Sequence, residues 1–279
     1  MANVQKRKLA GRIAVHIVCL FTSAICVFPF VYMFFISLQP NNEAIFRIPP
    51  SIIPDKWEWS NYVYAFRQTH FLRALGNTLL ILVTVMTLNM IGSTLVAYGF
   101  SRFSSKGKGL VWAVLMGSMM LPWAVTMVPA FVIFKAIGWI GTRLPLIVPA
   151  FGGSAYNIFM LRQFMMGMPK ELDEAAKIDG CSDFGILFRI LLPNMLPVYA
   201  TLFIFLFTSL WSDYLSPRIY LVEETQHTLS LALYKLRSAY SIDWKATMAG
   251  SVMFALPMVA VLFGMQKYFV EGVVVTGLK

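Results

Sequence analysis

The chain has 279 residues, of which 58% are hydrophobic and 13% are charged, and its formal net charge at pH 7 is +10. A soluble domain carries about twice that charged fraction, so the composition excludes a water-soluble fold and indicates an integral membrane protein. Because the basic residues are scattered and the aromatic residues lie inside apolar runs, the charge indicates no nucleic-acid partner but a surplus of Lys and Arg on the internal side of a membrane.

Apolar stretches of membrane-spanning length follow one another along the chain. Their predicted bounds are residues 13–38, 75–100, 110–134, 144–160, 191–211 and 246–265. The first stretch follows a basic N-terminal cluster and is too long for the apolar part of a signal peptide, so we expect a retained span. The sequence therefore predicts an all-α integral membrane protein with six transmembrane helices.

Some of these spans contain residues that interrupt a helix. Pro122 and Pro129 each remove a helical hydrogen bond from the third span, which we expect to be kinked or broken there. The Gly-Gly-Ser stretch at residues 152–154 interrupts the fourth span, and Pro257 interrupts the sixth.

The polar segments between the spans predict the orientation. The N-terminal cluster and the basic turn at residues 102–108 suit the internal side, so both termini and the tail from residue 266 are predicted in the cytoplasm. The proline-rich segment after the first span and residues 213–245 are then external loops. Residues 162–189, which mix basic and acidic side chains, form an internal loop.

Ionisable residues are missing from the middle of every predicted span. A proton-coupled carrier or a membrane hydrolase needs such a group at membrane depth. The chain has no phosphate-binding Gly-rich loop, and Cys19, Cys26 and Cys181 have no metal-ligand spacing. We therefore expect no catalysis, metal or cofactor on this chain, and any energy for transport must come from a partner.

The internal loop contains a helix-forming segment. Pro169 suits the first turn of a helix and Gly180 suits its C-terminal end, which predicts a short helix at residues 170–179. Acidic residues suit its positive N-terminal end, and they are Glu171, Asp173 and Glu174.

One face of this helix is predicted to carry small side chains, with Leu172, Ala175, Ala176 and Asp179 at spacings of three and four. Such a face permits close docking into a groove of a partner. Ser182 can cap a second short helix that ends near Pro193. The alternative is an amphipathic helix that only lies on the lipid headgroups.

The order of residues in this loop resembles the EAA motif of the permease subunits of bacterial ABC importers. The matching residues are Glu174, Ala175, Ala176, Gly180, Ile190, Leu192 and Pro193. Other residues resemble the carbohydrate-uptake branch of that family, which is similar to the maltose permease subunit with six spans. They are Phe46, Pro49, Pro50, Asn61, Tyr62, Asn77, Thr78, Ala97, Tyr98, Arg102, Phe103, Trp211 and Asp213.

The resemblance implies a type I ABC importer permease fold, with one permease domain over residues 1–279, a core at about 72–267 and a coupling region at 169–185. It implies import of a sugar or related polar solute across a bacterial cell membrane. The implied partners are a second permease subunit, a cytoplasmic ATPase dimer that holds ATP and Mg, and an extracellular solute-binding protein. The implied ATPase-coupling residues are Glu174, Ala175, Ala176, Asp179 and Gly180.

Candidate residues for the solute pathway are polar or aromatic side chains in or at the ends of spans. Asn89 and Asn157 lie inside spans and can both donate to and accept from a sugar hydroxyl; Trp211 and Asp213 lie at the end of the fifth span. The alternative for each asparagine is a hydrogen bond between helices that aids packing.

Three other functions stay open. A channel or secondary carrier would transport solute without an ATPase. A membrane-embedded enzyme is disfavoured because no intramembrane acid, base or metal set is present. A scaffold without transport function would tolerate changes in the loop helix.

Overall fold

The structure of the protein is a computed structural model that describes residues 2–42, 52–237 and 243–276. These residues form helices and no strand. The α-helices are α1 Ala2–Ser37, α2 Ser60–Gln68, α3 Phe71–Arg102, α4 Lys108–Ser118, α5 Trp123–Ala136, α6 Leu144–Ile147, α7 Ala155–Met166, α8 Glu171–Ile178, α9 Asp183–Ile186, α10 Leu192–Asn194, α11 Leu196–Ser212, α12 Leu215–Tyr220, α13 Leu229–Leu233 and α14 Trp244–Thr276. Phe46, Pro49 and Pro50, and residues 277–279 of the tail, lie outside the described residues.

The predicted spans correspond to long apolar helices or to bent pairs. Four helical stretches are long and apolar enough to cross a membrane, namely Gly11–Ser37, Phe71–Arg102, Leu144–Met166 and Trp244–Gln266. Two bent pairs supply two more spans if each pair is counted once: α4 with α5, bent by 103°, and the segment Asp183–Asn194 with α11, bent by 79°. The prediction of an all-α membrane protein with six spans is confirmed.

The prolines act differently from one another. Pro122 has an extended backbone immediately before α5, which confirms the predicted break in the third span. Pro129 lies inside α5, and Pro257 lies inside α14, which continues to Thr276. The predicted interruption at Pro257 is therefore wrong. One missing N–H does not end a membrane helix when local adjustments satisfy the freed carbonyl.

The loop between the fourth and fifth spans begins later than the sequence predicts. The fourth span was expected to end at residue 160, but α7 continues to Met166 and includes Arg162. The Arg162 guanidinium lies 4.1 Å from the centroid of the Trp112 ring, and its Nε donates to the Phe100 carbonyl at 3.3 Å. These partners allow a basic residue to stay within the helix.

The described residues of the predicted external loop from residue 213, up to residue 237, form short helices rather than a plain loop. They include α12 and α13, and they include short 3₁₀ turns at Glu224–Gln226 and Tyr234–Leu236. These elements are too short for a periodic apolar pattern to predict them.

The chain divides into two compact units. The first comprises Met1–Phe71 and Leu233–Leu256, and its small core contains Ala65, Leu236, Ala246 and Ala249. Asn61 donates from its amide to the carbonyls of Ser37 and Gln39, both at 2.9 Å, and so ties α2 to the end of α1. The span Gly11–Ser37 has none of its most apolar window buried inside the protein, so lipid or another membrane subunit must cover it.

The second unit comprises Leu72–Ala232 and Pro257–Lys279. Its main core joins the second half of α3 to α7, α8 and the helical stretch that leads into α11. A smaller cluster of Ile81, Val85, Ala150 and Leu221 packs the first half of α3 against the break in the fourth span. The prediction of one permease domain over the whole chain stays a prediction.

Candidate functional site

The predicted loop helix is present as α8. It carries three acidic residues in its first turn and Lys177 in its last. Gly180 follows it with φ of +81°, a left-handed conformation that glycine adopts without strain. The N–H of Gly180 donates to Lys177 at 3.0 Å and that of Cys181 to Ala176 at 2.9 Å, which closes the helix end as a glycine stop does. The prediction of a short helix ended by Gly180 is confirmed.

The two alanines of the motif lie on different faces of α8. Ala176 is buried among Ile186, Leu187 and Leu191, whereas Ala175 is exposed. Consecutive residues differ by about 100° around an α-helix. The prediction that Ala175 and Ala176 share the docking face is therefore wrong, because Ala176 anchors α8 to the core.

The outward face of α8 is apolar along one line. Leu172 is 43% exposed and Ile178 is 87% exposed, with Ala175 between them. Phe184, at the start of the next helix, is 66% exposed. The other predicted coupling residues, Glu174, Asp179 and Gly180, are exposed as well. A row of apolar side chains at spacings of three, flanked by charge, is the pattern by which a helix docks into a groove.

An ion pair attaches α8 to the end of α3. Arg102 Nε lies 2.6 Å from Asp173 Oδ2, and the side chains are 7% and 14% exposed. We call this contact the α3–α8 bridge. The contact has the distance of an ion pair but not the angle of a hydrogen bond, and Asp173 Oδ1 has no partner among the described residues. Arg102 Nη2 also donates to the Met168 carbonyl at 3.4 Å.

A second polar contact joins α3 to α9. The Tyr98 hydroxyl donates to the Asp183 carbonyl at 3.1 Å. Tyr98 and Arg102 are four residues apart and therefore share one face of α3. The sequence analysis missed this pair as anchors for α8. That spacing places both side chains on one face of α3, but it does not indicate their partners Asp173 and Asp183, which lie far along the chain.

The chain continues from α8 directly towards the fifth span. The Ser182 side chain accepts from the N–H of Gly185 at 3.2 Å, which confirms the predicted cap. After α9 the helix passes through a π-helical turn at Leu187–Leu191 and then α10. The bend into α11 follows at Met195. After the turn that contains Gly180, helical backbone thus runs from Asp183 to the bend at Met195, and a displacement of α8 can reach the fifth span through this segment.

The predicted pathway residues Asn89 and Asn157 lie against each other. The Asn157 amide donates to Asn89 Oδ1 at 2.7 Å, and both side chains are buried. Ser93 Oγ donates to the same oxygen at 3.3 Å and accepts from the N–H of Ser154 at 3.2 Å. The structure thus brings these residues together as a polar contact between α3 and α7.

Two glycines make this contact unusually close. A Cβ on Gly92 would overlap the carbonyl oxygen of Phe151, and a Cβ on Gly153 would lie 2.6 Å from Ser93 Oγ. Gly153 also has φ of +75°, where side chains are disfavoured. We call the contact of α3 with residues 151–157 the α3–α7 seam.

Trp211 and Asp213 lie apart from that seam. Trp211 is 1% exposed and stacks on Phe207 with ring centroids 5.6 Å apart. Asp213 Oδ1 accepts from the N–H of Ser216 at 3.1 Å. Asp213 lines a cavity of about 330 Å³ whose other lining residues include Thr78, Trp123, Phe134, Tyr220 and Thr228, but neither Asn89 nor Asn157.

A cluster that the sequence analysis did not predict fixes the segment beyond Asp213 to α3. The Asn77 amide donates to the carbonyls of Thr225 and His227 at 2.8 and 3.0 Å, and Arg143 Nη2 donates to Asn77 Oδ1 at 2.7 Å. The Thr78 hydroxyl accepts from the N–H of Leu229 at 2.8 Å. These bonds satisfy backbone groups that membrane lipid could not satisfy.

Comparisons with known proteins agree with this architecture. Residues 91–275 match the family model described as binding-protein-dependent transport system inner membrane component. The chain is 30% identical to the arabinooligosaccharides transport system permease protein AraQ of Halalkalibacterium halodurans, over 93% of each chain. It is 30% identical to the lactose transport system permease protein LacG of Rhizobium radiobacter, over 98% of each chain.

A solved structure shares the fold. It is a chain of a bacterial ABC transporter involved in the import of the acidic polysaccharide alginate. The TM-score is 0.81 at 21% sequence identity, and the match covers 94% of this chain and 97% of the other.

Proposed function

From the premise that this chain belongs to the family of binding-protein-dependent transport system inner membrane components, we propose that it carries an oligosaccharide inward through an ABC importer. The chain is a permease subunit with the type I ABC importer permease fold, and ATP hydrolysis resides on a separate subunit. A sugar as the solute is supported by the names of the relatives, which specify arabinooligosaccharides and lactose.

One observation carries the coupling part of the proposal. A short surface helix, α8, stands at the joint between the fourth and fifth spans and exposes Leu172, Ala175 and Ile178. Ala176 is the buried residue of this helix and lies on its inner face. The exposed row docks into a cleft of a cytoplasmic ATPase, and closure of that ATPase on ATP pushes α8. Glu174, Asp179 and Gly180 belong to the same docking site.

The proposed assembly contains a second permease subunit, an ATPase dimer with ATP and Mg, and an extracellular binding protein. The first span, whose apolar surface is not covered by the described part of the chain, offers a surface on which a second membrane subunit can pack. Both termini and α8 lie on the cytoplasmic side in this proposal, consistent with the basic turn that follows α3. The membrane is that of a bacterial cell.

We place solute contacts of this subunit at the cavity beside Asp213. Its lining combines the aromatic rings of Trp123 and Tyr220 with the hydroxyls of Thr78 and Thr228. Sugar rings stack on aromatic faces and bond to such polar groups. The pathway role of Asn89 and Asn157 stays a prediction, and their mutual hydrogen bond supports the packing alternative. Trp211 is buried by Phe207 and acts on the solute only through the position of Asp213.

A channel or secondary carrier that acts without an ATPase is the alternative function. Vesicles that contain the permease pair and its binding protein, with or without the ATPase, decide between the two, with radiolabelled arabinotriose and lactose as probes. We expect accumulation of one of these sugars only with ATPase and ATP present. Accumulation by the permease alone would contradict the proposal.

Substitutions on α8 test the coupling helix. Gly180→Arg and Glu174→Lys are expected to abolish ATP-driven uptake while the protein stays inserted. The first adds a large side chain to the docking side of α8, and the second reverses a charge there. The control is Ser105→Asp, which introduces a charge into the exposed turn after α3. Normal ATP-driven uptake by both α8 variants would contradict docking at α8.

A further inference from the structure

We infer that the α3–α8 bridge is the positioning contact that makes α8 and α3 move as one body during coupling. This inference rests on the proposed function for its transport readout, but the geometry behind it is independent of any partner. Arg102 and Asp173 are not among the motif residues of α8 that face outward. The Arg102 side chain from α3 and the Asp173 side chain from α8 meet between these two helices.

The space around the bridge shows why one ion pair matters there. A polar cleft of about 190 Å³ lies between the end of α3 and α8, lined by Tyr98, Arg102, Phe103, Lys170, Asp173, Glu174, Lys177, Asp183 and Ile186. The core cluster that contains Ala97, Tyr98 and Ala176 packs beside this cleft, but it does not fill the cleft. The α3–α8 bridge and the Tyr98 hydroxyl cross the cleft instead.

The charges also suit the helix ends on which they lie. Arg102 is in the last turn of α3 and Asp173 is in the first turn of α8. A cation is favoured at the C-terminal end of a helix and an anion at the N-terminal end. The same arrangement makes each partner costly to leave alone, because a buried charge without its counterion is strongly destabilising.

The α3–α8 bridge is more deeply buried than the neighbouring ion pair. Lys177 and Asp183 also pair at 3.3 Å, but their side chains are 60% and 45% exposed. Water screens such a pair, and it contributes little. Of the three pairs Lys56–Glu58, Lys177–Asp183 and Arg102–Asp173, the last, the α3–α8 bridge, is the one with both side chains largely buried.

The transport test measures sugar imported per ATP hydrolysed by the complete complex in proteoliposomes, with arabinotriose and lactose as probes. Arg102→Met and Asp173→Asn each lower this ratio by about five-fold or more, the size of a typical coupling between sites, while ATP hydrolysis continues. The double variant Arg102→Met with Asp173→Leu replaces the pair by apolar side chains and restores the ratio to within about two-fold, since such replacements of buried pairs are tolerated.

Lys108→Met is the matched control. Lys108 is a nearby, partly exposed lysine whose ammonium donates to the Phe103 carbonyl at 2.5 Å, and its loss leaves the ratio unchanged. A purely structural role would lower uptake and hydrolysis together, in proportion to the complex assembled. Single variants with the wild-type ratio, or a double variant no better than the singles, would overturn the inference.

A distance measurement tests the positioning without transport. Spin labels at Glu171→Cys and Ser105→Cys, in a chain whose native cysteines are replaced, report the separation of α8 from the end of α3 in the purified complex. We expect one narrow distance with the bridge intact, a broad distribution in Arg102→Met, and a narrow one again in the double variant. Identical distributions in all three would refute the inference. If the wild type imports neither sugar with ATP, the proposed function fails, and this arm still decides the bridge.

Discussion

The second long helix, α3, is held at its middle and at its end by contacts of opposite kinds. At the α3–α7 seam, Gly92 and Gly153 let two backbones approach so closely that neither position has space for a Cβ. At the α3–α8 bridge, one ion pair crosses a polar cleft. The α3–α7 seam resists movement of the two backbones relative to each other because its atoms are close-packed. The α3–α8 bridge transmits movement only while both charges remain paired. The comparison therefore distinguishes a rigid packed contact, the seam, from a contact that the loss of one charge breaks.

The largest effect is expected from a methyl group in the seam. Gly92→Ala must displace the Phe151 backbone, and we expect it to lower the free energy of unfolding by about 2 kcal/mol. The control is Gly99→Ala on the same helix, where a Cβ meets nothing within 4 Å, and which should be neutral or stabilising by about 0.5 kcal/mol. Thermal unfolding of the purified variants measures both. Equal midpoints would show that the seam is not tightly packed.

A smaller effect is expected from the polar part of the seam. Asn89→Leu leaves the buried Asn157 amide without its acceptor, at a cost of about 1 kcal/mol, and Asn157→Leu leaves Asn89 Oδ1 with only the longer bond from Ser93. The double variant with leucine at both positions should recover most of this loss, as measured by the same unfolding midpoints. We expect the double variant to retain ATP-driven sugar uptake, because the amides bond to each other. A stable double variant without uptake would instead assign both residues to the pathway.

The smallest effect is expected from the exposed ion pair on α8. Lys177→Met removes the contact with Asp183 and should destabilise α8 by about 0.3 kcal/mol. Amide hydrogen exchange of residues 171–178 measures this, with Arg102→Met as the contrasting variant that should speed exchange far more. Equal acceleration in the two variants would contradict the distinction between a buried and an exposed pair.

Much of this architecture could be predicted from the sequence because apolar length and breakers are local signals. The spans, the break at Pro122, the cap at Ser182 and the stop at Gly180 follow from a few neighbouring residues each. The inward direction of Ala176 could not be predicted, because spacing defines faces of a helix but not which face meets the core. The bond between Asn89 and Asn157 and the α3–α8 bridge join residues far apart in the chain, and no local pattern indicates their partners.

Two of the corrections concern residues that are unfavourable in an isolated membrane helix. Arg162 was assigned to a loop and Pro257 to a helix break because each was judged alone. In the folded chain the Trp112 ring and the Phe100 carbonyl accept the Arg162 guanidinium, and α14 continues past Pro257. Residues that are unfavourable in an isolated membrane helix are tolerated where neighbours supply the missing interactions.

The central claim, that α8 is the contact with the ATPase, is tested most directly by cross-linking. A photoreactive phenylalanine derivative replaces Ile178, which is 87% exposed on α8, and the complex is irradiated in native membranes. The account predicts a covalent product with the ATPase subunit at position 178, and none when the same derivative replaces Phe151 in the α3–α7 seam. Products with lipid alone at position 178 would contradict the account and favour a helix that lies on the headgroups.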